Sequence, residues 1–211
     1  EVAPEPIRPM QNVVLKMSAG RLDGMLISDS VFYHVTPGAL SGALNRHQWR
    51  ETIGKARAYL KEQALHEKKT AAGEKSAPPR KPVGDDVLQL VKHEIALRVS
   101  ADSVNLIHEV IDLAKELDYK LVIDSAIEGW VVPDELAEAG VAVVITPRQR
   151  RRAQFAREDS TGSNIESSRI FEQAGVAFAV SPLGNSISLD GLAGRDLTSL
   201  PLEAAFAVRG G

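Results

Sequence analysis

The chain predicts an α/β fold built on a parallel sheet. Three observations carry this expectation. Four β-branched, apolar runs recur between residues 95 and 182: IALRVSA (95–101), KLVIDSA (120–126), VAVVITP (141–147) and VAFAVSP (176–182). Each run is apolar on both faces until its last residues, the pattern of parallel strands covered on two sides. Between the runs lie stretches with helical periodicity, which makes successive βαβ units, and right-handed crossovers would stack such strands into one sheet.

The remaining elements can be taken in order. Residues 1–10 hold Pro4, Pro6 and Pro9, which remove backbone donors, so an extended segment is expected. NVVLKM (12–17) has strand character, and MLIS (25–28) is a second short strand. VFYHV (31–35) runs into a turn at Pro37-Gly38. Residues 45–68 form the longest helical pattern, with Asn45 at its N-cap and Trp49, Ile53, Ala56, Leu60 and Ala64 on one face. Residues 69–84 are a Pro/Gly/Lys-rich linker, followed by a short helix at 85–92. The expected organisation is an N-terminal segment (1–44), a long helix (45–68), a linker (69–84) and four strand–helix units (85–211).

Within those units, Asp102 or Ser103 should cap a helix that buries Val104, Ile107, Ile111, Ala114 and Leu117. A helix over 128–139 takes Pro133 in its first turn and Gly140 at its end. Ser163 and Glu166 have capping-box spacing ahead of a helix ending at Gly175. Pro201 is expected in the first turn of the last helix. The third and fourth strands lead into long polar loops.

With 211 residues, 44% hydrophobic and 25% charged, the chain has an ordinary globular composition. A net charge of −3 argues against a nucleic-acid partner. The absence of cysteine excludes disulfides and thiolate chemistry. No apolar run approaches the roughly 20 residues that a membrane span requires. The proline-rich start and the Arg-Gly-Gly end suggest a piece of a longer chain.

Ligands of parallel α/β proteins, barrels and open sheets alike, sit at the C-terminal ends of the strands. That rule singles out Ser100, Asp102, Asp124, Ser125, Glu128, Thr146, Ser181 and Asn185 as pocket candidates. Asp102, Asp124 and Glu128 could act as acid and base; helix capping and bonds to backbone amides are the commoner use of such residues. Arg148, Arg150, Arg151, Arg152 and Arg195 are candidates for binding a carboxylate or phosphate by bidentate contacts. Alternatively, the loop arginines are balanced by Glu158 and Asp159, and Arg195 pairs with Asp196. None of the five histidines has ligand spacing to another. There is no phosphate loop and no nucleophile elbow. No catalytic residue and no metal ligand is assigned.

One resemblance is specific. KLVIDSA, VPDELAEAGVAVVITP, GSNIES, EQAGVAFAVSP and PLEAAFAVR resemble the amidohydrolase superfamily, most nearly its imidazolonepropionase-like branch. The likeness covers about residues 90–211, and 12–40 more weakly. It implies a (β/α)8 TIM-like barrel of the metal-dependent hydrolase type, of which this chain would supply the C-terminal half. It further implies that the fifth-strand metal histidine falls at or near Ser100 and the sixth-strand histidine on Ser125. The eighth-strand aspartate falls at Pro182 or Leu183, and a fourth-strand lysine near Tyr33. Hydroxyl, ring and hydrocarbon groups are poor replacements for zinc ligands. The expectation is therefore an amidohydrolase-like domain without the usual metal centre and with no cofactor. Its role would be structural or partner-binding, in a homo-oligomer or a hetero-oligomer with a related amidohydrolase chain. Two alternatives are an active C–N hydrolase, completed with zinc or a similar ion by residues elsewhere, and a binding domain for an anionic small molecule.

Overall fold

A computed structural model describes residues 10–11, 14–15, 26–28, 31–40, 42–74, 76–153, 161–182 and 195–210. The chain divides into two compact units, Glu1–Arg98 with Leu117–Lys120, and Val99–Glu116 with Leu121–Gly211.

The first unit opens with short strands β1 (Met10–Gln11), β2 (Val14–Leu15), β3 (Leu26–Ser28) and β4 (Phe32–Val35). β1 pairs antiparallel with β4, and β2 with β3. The expected strand over 12–17 is represented by β2, its other residues lying outside the described ones. The Pro37-Gly38 turn is one helical turn, α1 (Pro37–Leu40). Helix α2 spans Ala43–Ala71, with Gly42 at its N-cap rather than Asn45. Gly42 adopts φ +80°, which a residue with a side chain rarely does. Only the first half of the expected apolar face is buried: Trp49, Ile53 and Ala56. The Trp49 ring centroid lies 5.5 Å from that of Tyr33 and 6.3 Å from that of Tyr119. Helix α3 (Asp85–Val91) carries Asp85 and Asp86 in its first turn, where the helix dipole favours negative charge.

Strand β5 spans Ala96–Ser100. The second unit continues with α4 (Val104–Glu116), β6 (Leu121–Asp124), a 3₁₀ turn (Gly129–Val131) and α5 (Pro133–Glu138). Then come β7 (Ala142–Ile145), α6 (Ser167–Ala174), β8 (Phe178–Val180) and α7 (Arg195–Arg209). Within the second unit the strand order is β6-β7-β8. β6, β7 and β8 pair in parallel, as the apolar runs predict. The fold is α/β, with parallel strands from four consecutive strand–helix units at its centre.

The strands are less evenly covered than their composition suggests. Buried and half-buried residues alternate in β5, β6 and β7. In β8, Phe178 is 37% exposed and Ala179 is also exposed. Helix α4 buries Ile107, Val110, Ile111 and Ala114, close to the predicted face. Gly175 closes α6 in the left-handed conformation, φ +75°, as expected of a helix-ending glycine. Pro133 takes its expected first-turn position in α5, whereas Pro201 falls inside α7 because that helix starts earlier, at Arg195.

Candidate functional site at the strand ends

All the described pocket candidates lie where the parallel-sheet rule puts them, in the second unit. Ser100 ends β5 and Asp124 ends β6. Thr146 follows β7 and Ser181 follows β8. Parallel pairing brings these ends side by side: the Ala101 N–H donates to the Asp124 carbonyl (3.0 Å) and the Ser181 N–H to the Ile145 carbonyl (2.8 Å). Asn185 lies outside the described residues, as does the side chain of Arg195.

Three of the candidates form one charge cluster. The Arg151 guanidinium donates through Nη1 to Oδ2 of Asp102 (2.6 Å) and through Nη2 to the Asp102 carbonyl (2.6 Å). Nη2 also lies 2.9 Å from Oε1 of Glu128. Glu128 is 0% exposed. Its Oε1 accepts the N–H groups of Thr161 (3.1 Å) and Gly162 (3.0 Å), and its Oε2 accepts the N–H of Val104 (3.2 Å). Burial by itself would raise the carboxyl pKa. The N–H groups of Gly162 and Val104 and the Arg151 charge outweigh it, so the pKa is lowered from the usual glutamate range. This one carboxylate ties together the segments that follow β5, β6 and β7.

Glu128 therefore does what Asp102 or Ser103 was expected to do, since it satisfies an N–H in the first turn of α4. Asp102 spends its carboxylate on Arg151 instead. Asp124 accepts the backbone N–H of Ser125 (3.1 Å). That bond helps hold Ser125 at φ +56°, a left-handed conformation uncommon for any residue but glycine.

The arginines divide into two pairs. Arg148 donates from Nε to Oε1 of Glu203 (2.7 Å), and from its backbone N–H to Oε2 (3.0 Å). Glu203 is 0% exposed. Arg148 and Arg151 are thus each neutralised by a fully buried carboxylate, whereas Arg150 and Arg152 are exposed. Glu203 is only faintly marked in the sequence. Its signal is an acidic residue four positions before Ala207 in PLEAAFAVR, on the same helical face, where an unpaired carboxylate would be costly.

A shallow, open hollow with room for about one water lies at the ends of β6 and β7. Ser125 and Thr146 line it. Ser100, Asp102, Asp124, Glu128 and Ser181 do not. The rest of its polar wall comes from Gln149, Ser163, Asn164 and Ser167, and its apolar wall from Ala126, Ile127, Ile145 and Pro147. The capping box expected of Ser163 and Glu166 does not form. Instead the Ser163 hydroxyl accepts the Arg151 N–H (3.0 Å), and Oδ1 of Asn164 accepts the Glu166 N–H (2.9 Å). A local turn competes successfully with the box.

Compared with solved structures, the chain is similar to the crystal structure of an amidohydrolase from Thermotoga maritima MSB8, with a TM-score of 0.59 and 20% identity. The match covers 95% of this chain and 52% of that one, so the chain spans about half of the neighbour's length. No protein-family model matches the chain. No curated protein matches it either. The chain has an amidohydrolase-like fold.

A hydrolytic metal site would need imidazole, thiolate or carboxylate donors, with a base for the attacking water. At the positions implied by the resemblance stand the hydroxyls of Ser100 and Ser125 and the ring of Pro182; Leu183 is outside the described residues. Asp102 and Glu128 are committed to Arg151. Among the described residues no three His, Cys, Asp or Glu are grouped to hold an ion. The described donor set does not fit such a centre. Among the described residues, no helix is long and apolar enough to cross a membrane.

Proposed function

We propose that this chain is the C-terminal half of an amidohydrolase-type (β/α)8 barrel, of the imidazolonepropionase-like branch, and that it is catalytically degenerate. Its role is structural or partner-binding. The observation that carries this is the chemistry of the strand ends: hydroxyls and a proline ring at the matched ligand positions, beside carboxylates already spent on arginine. An enzyme of this type needs several donors at once, so one substitution could be rescued from elsewhere, but concurrent ones leave no first set of ligands.

The partner is a second copy or a related amidohydrolase chain. Strand β8 supports this: among the described residues it ends the strand order, and its Phe178 is exposed; an uncovered sheet edge favours added strands. The alternative is an active hydrolase of amide or cyclic amide C–N bonds, completed with zinc or a similar ion by residues outside this chain. Anion binding is a further alternative, and it now rests chiefly on the exposed Arg150 and Arg152.

Turnover of a panel of linear and cyclic amides, with and without added zinc or manganese, tests the reading. The expected result is no hydrolysis above background in either condition. Hydrolysis that a chelator abolishes and added metal restores would establish the active alternative.

A further inference from the structure

The connection between α2 and α3, residues 72–84, is longer than the roughly 2–8 residues usual between helices that pack on each other, as these two do. Connections of that length commonly carry a function. Its later part reads Ser76-Ala77-Pro78-Pro79-Arg80-Lys81-Pro82-Val83-Gly84. Each proline fixes its own φ at about −65° and forces the residue before it, here Ala77, Pro78 and Lys81, into extended backbone. Gly84 continues that conformation, with φ −66° and ψ 161°. The segment therefore has polyproline II character: a left-handed helix of about three residues per turn, without internal hydrogen bonds. Among the described residues, no backbone group of 76–83 is hydrogen-bonded to another residue.

The segment is also presented to solvent and held at both ends. Ala77, Pro78, Arg80, Lys81 and Pro82 are exposed, and Pro79 is half-buried. Pro79 and Pro82 stand one turn apart on the same edge of such a helix. Pro78-Pro79 and Lys81-Pro82 are thus two residue–proline pairs separated by Arg80. Toward α2, the Glu74 N–H donates to the Lys69 carbonyl (3.0 Å). Toward α3, Lys81 pairs with Asp85 in the first helical turn. Arg80 has no acidic partner among the described residues. A segment already extended and anchored loses little chain entropy when a partner binds it.

From these features we infer that residues 77–82 dock a domain of the SH3 type. Its groove, lined with aromatic rings, takes the two residue–proline pairs, and a carboxylate at the border of that groove meets Arg80. This surface lies in the first unit, away from the strand ends, and the inference does not rest on the proposed loss of the metal centre.

The test is isothermal titration calorimetry of the whole chain against a panel of purified SH3 domains whose grooves are bordered by acidic side chains. The expected result is saturable one-to-one binding to at least one of them. Pro79→Ala and Pro82→Ala should each weaken it about tenfold, since each empties one pocket. Arg80→Glu should weaken it by about the same factor, because attraction to the carboxylate becomes repulsion. Lys68→Ala, at the end of α2, should leave it unchanged. No binding by any domain of the panel would overturn the inference. So would binding that survives both proline substitutions, or that Arg80→Glu leaves as it was. Unchanged far-ultraviolet circular dichroism verifies that the variants are folded.

Discussion

Glu128 is the residue on which the strand ends depend. Its carboxylate is fully buried and accepts three backbone N–H groups in addition to Arg151. Removing the charge leaves Arg151 undercompensated and weakens the hold on Val104, Thr161 and Gly162. Glu128→Gln should therefore cost about 2–4 kcal/mol of stability, measured by urea unfolding. The pH dependence follows from the lowered carboxyl pKa. The folded-state value lies below the unfolded one, so the ionised form favours folding. This contribution is complete above the unfolded glutamate value, about pH 4.3, and is lost as pH falls through the lower folded value. Wild-type stability should fall more steeply than that of Glu128→Gln below about pH 4.3; parallel acid curves would contradict the assignment. Nothing near Glu128 in the sequence marks it as buried. Its partners come from positions 104, 151, 161 and 162, and only the fold assembles them.

At the scale of elements, two glycines separate conformational strain from steric fit. Gly175 ends α6 at φ +75°, and a Cβ there would meet nothing within 4 Å. Gly175→Ala should cost about 1 kcal/mol, the conformational penalty alone. Gly162 also has positive φ, +77°, but a Cβ there would lie 2.6 Å from the Arg151 carbonyl and 2.8 Å from the Ala153 nitrogen. Gly162→Ala should cost more, about 2–4 kcal/mol, because backbone must move and the bonds to Glu128 and Trp130 move with it. Thermal unfolding of the two variants side by side checks the ranking; equal losses would contradict it. Strands were the most legible elements, because β-branched apolar runs leave few alternatives. Helix ends were less so. Gly175 was readable, since its chemistry is local. The caps expected from Asn45, Asp102 and Ser163 were not realised, because Arg151 and Glu128, both distant in sequence, claimed the latter two segments, and Gly42 began α2 earlier.

For the whole molecule, the resemblance in the sequence and the structural neighbour agree on an amidohydrolase-like fold, at 20% identity. Of the residues that the strand-end rule singles out, Ser125 and Thr146 line the hollow; Gln149, Ser163, Asn164 and Ser167 reach it from the loop after β7 and the start of α6. Such residues are chosen by how a loop folds back, which no periodicity records. If the exposed β8 contacts a partner strand, Phe178→Lys should shift the chain toward monomer in light scattering coupled to size exclusion. An unchanged mass would argue against that edge. The central claim concerns the donors at the strand ends, and metal content of the native protein, measured by inductively coupled plasma mass spectrometry after exhaustive dialysis without chelator, tests it most directly. The account predicts zinc, manganese and iron far below one atom per chain. One tightly held atom per chain, lost in a Ser125→Ala or Asp124→Asn variant, would contradict it.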